Sequence, residues 1–111
     1  MIRKFILAMC AFPLIANAQV NLAGVPENCE ASLTHDMELA NIPAILDLGP
    51  GAAKITSIQT MNNQHAYQYY PGLYRLDCYV TVRWSNGQVD QFYKFSAWDT
   101  KYGQTMVSYG R

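Results

Sequence analysis

The sequence predicts an α+β domain: one amino-terminal helix laid on an antiparallel sheet of three or four strands and tied to it by one disulfide. Three observations carry that expectation. Helix signals come first along the chain and strand signals second, an order that suggests α+β and not an alternating parallel fold. The aromatic residues divide at the same place, with none between residues 19 and 66 and twelve from Tyr67 to Tyr109. Finally, the stretch GLYRLDCYVTVRWSNG, Gly72 to Gly87, alternates apolar and polar residues around a single cysteine.

The chain of 111 residues begins with a leader pattern. MIRK is short and basic, FILAMCAFPLIA is apolar, and ANA puts small residues at both cleavage-site positions, the layout of a signal peptide over residues 1–18. The apolar run falls short of the ~20 residues of a spanning helix. Met9 stands where a lipoprotein signal needs a small residue before Cys10. The expected mature chain, 19–111, is one small domain in the periplasm or outside the cell. It retains six basic residues against eight acidic ones, a formal charge of −2. Such a surface, without a Lys/Arg cluster, is a poor binder of nucleic acid or anionic membrane.

Loss of Cys10 leaves Cys29 and Cys78, and an even pair in an exported domain favours an internal disulfide. Separate thiols or a bond to another chain are the alternatives. The internal bond closes a loop of about 50 residues, worth about 4 kcal/mol on the chain-entropy account. In so small a core that is enough to decide folding.

Leu33, Met37 and Ala40 form a narrow apolar stripe at helical spacing. Glu27, Asn28 and Glu30 suit its start, and Ile42 before Pro43 is the expected end. Gly49-Pro50-Gly51 breaks the chain. In AAKITSIQTM the spacing of Ile55 and Ile58 fits strict alternation badly, which implies a bulge or uneven burial. NNQHAYQYYPG reads as a connection with a possible extended piece.

The central strand is expected to point Tyr74, Leu76, Cys78, Val80, Val82 and Trp84 inward. Arg75, Asp77, Tyr79, Thr81 and Arg83 point outward. Asn86-Gly87 suggests a two-residue type I′ turn. That turn pairs Trp84 with Val89, Arg83 with Asp90, Val82 with Gln91, Val80 with Tyr93, Tyr79 with Lys94 and Cys78 with Phe95. A loop over Asp99 to Gly103 and a last strand, about Gln104 to Tyr109, complete the sheet. A cysteine ahead of the helix, Arg75-x-x-Cys78 in a long strand, a tyrosine-rich strand and a Gly-containing turn resemble small exported bacterial proteins with a cystatin-like layout. The resemblance implies the fold and says little about activity.

Chemistry is sparse. His35, Asp36 and Glu38 do not share one helix face with ligand spacing, so a surface histidine is the expectation and no metal site. His65 has no nucleophile beside it in sequence, and Ser57 and Ser96 lie in strand-like stretches without a nucleophile elbow. Oxidised cysteines exclude thiol catalysis. Asp77 and Asp90 read as solvated partners of Arg75 and Arg83, not as an acid/base couple. No cofactor motif occurs. The expectation is therefore no enzyme.

The outer face remains, with Arg75, Tyr79, Phe92, Lys94 and Trp98 as the candidate partner-binding residues and Leu73 near its start. Tyr, Trp and Arg are common interface anchors, although strands favour aromatics in any case. The expected function is a non-catalytic exported binding module for a protein in the envelope or outside the cell, in an inhibitor, immunity or assembly role, with homodimerisation compatible. The alternative is a carbohydrate- or peptidoglycan-binding protein stacking sugars on Tyr79 and Trp98. An enzyme with an unreadable site is the third reading.

Overall fold

The computed structural model describes residues 12–13, 24–49 and 51–111. The leader expectation falls on residues 1–18, which lie outside the described residues apart from Phe12 and Pro13. The elements are β1 (Phe12–Pro13), α1 (Ser32–Ile45), β2 (Ile55–Thr60), β3 (Tyr67–Tyr70), β4 (Leu73–Trp84), β5 (Val89–Asp99) and β6 (Thr105–Gly110). All strand pairs are antiparallel, in the order β1-β6-β5-β4-β2, with β3 also on β4. The α+β expectation holds, but the strands exceed three or four. Five form the sheet proper, and the two-residue β1 lies against β6.

Strand β4 is long enough to serve two neighbours along one edge. Its carboxyl half, Val80 to Trp84, pairs with β2, and its start, Leu73 to Arg75, pairs with β3. The connection NNQHAYQYYPG thus contains a true strand. The irregularity expected near Ile55 is present as a register shift between Ile55 and Ser57.

Helix α1 covers the inner sheet face. Met37, Ile42 and Ile45 pack with Leu76, Cys78, Val80, Val82, Phe95, Ala97 and Val107. The predicted stripe was rotated: Leu33 and Ala40 are exposed, while Thr34 and Glu38 are buried. The start and the stop also differ. The helix begins at Ser32, after a turn in which Asn28 Oδ1 accepts from Glu30 N at 3.0 Å. It runs through Pro43 to Ile45. One lost amide bond in the last turn is offset by burial of Ile42 and Ile45 and by an orderly end. Asp47 takes a left-handed conformation, φ 57°, and its N–H donates to Ala44 O. Leu48 N donates to Pro43 O, completing a Schellman cap ahead of the glycines.

Cys29 and Cys78 are disulfide-bonded, with Cα atoms 5.6 Å apart. Both are fully buried, so the bond ties the segment before α1 to the middle of β4. The same segment is hydrogen-bonded to the chain before β3: Cys29 N donates to Gln64 O and Ala66 N to Glu27 O.

The β4–β5 hairpin departs from expectation twice. Trp84 N donates to Gln88 O and Gly87 N to Trp84 O, which encloses a three-residue loop, Ser85 to Gly87. Gly87 at φ 91° has the left-handed geometry of such a loop, whereas Asn86 has a negative φ, so the turn is not type I′. Arg83 therefore faces Val89, and Val82 faces Asp90. A β-bulge between Val80 and Val82 then restores the predicted pairs Val80–Tyr93, Tyr79–Lys94 and Cys78–Phe95. Phe92 lies in the bulge at φ 58°, a costly geometry for a bulky residue. The two offsets cancel below the bulge. Above it they turn Asp90 into the core, and the expected Arg83–Asp90 pair does not exist.

Candidate functional site

The topology gathers aromatic residues at one end of the sheet. The turn between β3 and β4 lies there, and so does the turn between β5 and β6, because Arg75 pairs with Trp98 and Asp99 with Thr105. Tyr67, Tyr69, Tyr70 and Tyr74 from the first hairpin are exposed, as is Tyr102 at the tip of the second turn. Tyr70 and Tyr102 are the most open, at 64% and 78%.

Hydrogen bonds fix the backbone and rings of this end. Tyr74 N donates to Asp99 Oδ2 at 3.2 Å, the Tyr69 hydroxyl donates to Asp99 O, and Gln68 Nε2 donates to the Tyr74 hydroxyl at 3.3 Å. Beside it, the Asp77 carboxylate accepts from Ser96 Oγ at 2.6 Å, Tyr67 OH at 2.9 Å and Arg75 Nε at 3.0 Å. Partial burial works to raise the Asp77 carboxyl. The bonds from Ser96 and Tyr67, with the Arg75 charge, outweigh it and hold the group below the usual carboxylate range. The bond to Asp77 in turn pushes the Tyr67 hydroxyl up. Arg75 also lies over Trp98, its guanidinium carbon 5.0 Å from the ring centre. The expected pairing of Asp77 with Arg75 is therefore present and belongs to a larger network.

Of the five residues expected on the partner face, Arg75 and Trp98 lie at this end. Tyr79 and Lys94 face each other in mid-sheet, and exposed Phe92 lies in the bulge near the other end. Arg75, Trp98, Tyr79 and Lys94 share one face of the sheet by register. Sequence reasoning passed over Tyr69, Tyr70, Tyr74 and Tyr102 as interface residues. The signal available was the run YQYYPGLY itself, and what it lacked was the neighbouring Tyr102 turn.

The remaining candidates are dispersed. Ser96 is fully buried and donates to Asp77, with no histidine among its bonded partners. His65 pairs with Asn28 and lines an open cleft of about 600 Å³ with Glu27, Tyr74 and Asp99. His35 is half-exposed, with Nδ1 3.5 Å from Glu38 Oε1. Among the described residues no group of three His, Cys, Asp or Glu side chains is placed to hold a metal ion. No helix among them is long and apolar enough to cross a membrane.

Two carboxylates are buried on the inner face. Asp90 accepts from Trp84 Nε1 at 2.9 Å, Tyr109 OH at 2.7 Å and Gln88 Nε2 at 2.9 Å. Glu38 is fully buried and neither of its oxygens has a hydrogen-bond partner. Burial pushes its pKa from 4.5 up to about 8.

Comparison with known proteins leaves this geometry to be interpreted on its own terms: no family model, no curated protein and no solved structure matches the chain.

Proposed function

We propose that the chain is a non-catalytic exported binding module that engages a protein partner, in the cell envelope or outside the cell, through the tyrosine-rich end of its sheet. The observation that carries this reading is the gathering of exposed tyrosines Tyr67, Tyr69, Tyr70, Tyr74 and Tyr102 on the two turns at the end of the sheet where Arg75 pairs with Trp98. Exposed aromatic side chains gathered at one end of a fold favour a partner-site reading. Tyrosine contributes large contact area while losing only two side-chain torsions on binding. Here part of that ordering is already done, because Tyr67, Tyr69 and Tyr74 have hydrogen-bonded hydroxyls. The internal disulfide is compatible with export. An inhibitor, immunity or assembly role fits.

The carbohydrate reading has less support. A sugar stacks on an open aromatic face, and Arg75 lies over the Trp98 ring.

The test uses the exported protein as bait in an envelope extract. A specific protein partner, lost on Tyr70→Ala with Tyr102→Ala while the thermal midpoint is kept, is the expected outcome. Retention on insoluble peptidoglycan with no protein partner overturns the proposal.

A further inference from the structure

Helix α1 is fastened at its start and only seated along its length. The Cys29–Cys78 bond, the Asn28–His65 bridge and a 2.6 Å hydrogen bond from Thr34 Oγ1 to Asn28 O hold the turn that leads into it. Beyond Thr34, the next hydrogen bonds to the rest of the fold among the described residues come at Lys54. Its carbonyl accepts from Ser85 N and its N–H donates to Ser85 Oγ. Between those points side-chain packing alone holds the chain on the sheet, with Met37, Ile42 and Ile45 as the buried apolar contacts from the helix. Gly49 and Gly51 flank the exit, Gly51 at φ 84°. A segment held by few apolar contacts and no hydrogen bonds opens at lower cost than core strands.

Glu38 lies in that seat, fully buried, and neither carboxyl oxygen has a hydrogen-bond partner. The groups facing it supply none. From α1 itself, half-exposed His35 holds Nδ1 at 3.5 Å from Oε1. From β6 comes Tyr109, close enough for the Glu38 charge to act on its hydroxyl. That hydroxyl gives its proton to Asp90 on β5, at 2.7 Å, and Trp84 Nε1 on β4 also donates to Asp90. Among the described residues no Lys or Arg pairs with Glu38, and the core that α1 covers is otherwise apolar. A carboxylate at this point carries its desolvation cost without counter-charge or donor.

We propose that α1 is a proton-latched flap: protonated Glu38 lets the helix lie on the inner sheet face, and loss of that proton swings the helix off it, between the disulfide-tied turn and the two glycines, while the sheet stays folded. Seated, the acid keeps its proton up to about 8; swung into water, it releases it at its ordinary 4.5. Below 4.5 both forms hold the proton and the equilibrium does not depend on this group. From 4.5 to about 8 the swung-out population rises about tenfold per pH unit, and above that it levels off. The latch is independent of the tyrosine-rich end.

The test is native-state hydrogen exchange across pH 5–8, in water and in urea below the unfolding transition. Rates are read as protection factors, which removes the intrinsic pH dependence of exchange. At every pH the α1 amides are expected to be less protected than those of β4 and β5. They are expected to lose protection about tenfold per pH unit and to respond little to urea, the mark of a local opening. Glu38→Gln is expected to remove the pH dependence. If α1 matches β4 and β5 in protection and in urea response, the helix leaves only when the whole domain unfolds, and the proposal is overturned. Flat α1 protection over this range in the unaltered chain overturns it as well, a reading that needs no variant to fold. A slope that survives Glu38→Gln and disappears in His35→Gln assigns the proton to His35 and is equally fatal.

Discussion

Asp90 and Glu38 are both carboxylates turned into the same small core, exposed by 2% and 0%, and they behave in opposite ways. Burial disfavours the charged form of each. For Asp90, bonds from Tyr109, Gln88 and Trp84 outweigh that penalty and hold its pKa below the ordinary value. For Glu38 nothing does, and the group is held up at about 8. His35 stands close, but at 3.5 Å and half in solvent it does not bond the acid. Tyr109 connects the two: burial and its bond to Asp90 push its hydroxyl up, and the Glu38 charge adds to this. Burial alone does not tell whether an acid stabilises a fold. The donors around it do.

The contrast breaks most visibly at Asp90. Asp90→Ala leaves the Trp84 indole and the Tyr109 hydroxyl without their acceptor in the core. Orphaned buried donors cost about 1–3 kcal/mol each, so a loss of about 3–5 kcal/mol is expected in urea denaturation. A loss below about 1 kcal/mol would show that water replaces the carboxylate.

The pH profile sharpens the same contrast, because the two acids act in different windows. Below pH 4.5 Glu38 is protonated in both folded and unfolded chains and costs nothing. Between 4.5 and about 8 the folded protein holds a proton that the unfolded chain has released, so stability falls as pH rises. The limiting slope is about 1.4 kcal/mol per pH unit. Asp90 has the reverse sign: its contribution is present above its ordinary value of 3.8 and is lost as pH falls through its lowered folded value. Glu38→Gln is expected to flatten the profile from 4.5 to 8 and leave the acid limb unchanged. Thermal melts across pH 2–9 check both limbs, and an unchanged neutral-pH slope would mean that Glu38 is not the group responsible.

Smaller effects follow at the neighbours. Tyr109→Phe removes one of the donors to Asp90 and keeps the ring against Tyr93, at 5.3 Å between centroids. A loss of about 1–2 kcal/mol is expected, with the acid limb moving to higher pH because Asp90 is less well held. Smallest is Phe92→Gly, which relieves the positive φ in the bulge and is expected to stabilise by about 1 kcal/mol. The side chain is exposed, so little packing is lost. If stability drops instead, Phe92 packing helps set the register that turns Asp90 inward.

The hairpin illustrates how far the residues could be followed without coordinates. Alternation in β4 placed Leu76, Cys78, Val80, Val82 and Trp84 inside, because a sheet buries every second residue, but it also put Tyr74 inside and Thr81 outside, whereas Tyr74 is exposed at the strand's start and Thr81 is buried. The same pattern could not place Asp90. A three-residue loop in place of a two-residue one displaces the partner strand by one, and a one-residue displacement reverses every side chain. The bulge at Phe92 undoes that reversal, but only below Val80. The tyrosines are similar: their abundance was legible, their convergence was not, because it depends on two turns separated along the chain meeting at one end. Glu38 went unrecognised because the apolar stripe was drawn through Leu33 and Ala40, which face solvent.

Amino-acid order by itself pointed to the α+β class, to Cys29–Cys78 as the favoured pairing and to the inward face of β4 from Leu76 to Trp84 apart from Thr81, since each depends on local periodicity or on the small number of ways to pair two thiols. The fold in three dimensions decided which acids are buried, which donors meet them and which tyrosines gather. Those outcomes depend on registers and distances between segments far apart along the chain, and a displacement of one residue at a loop or bulge changes them without altering any local pattern.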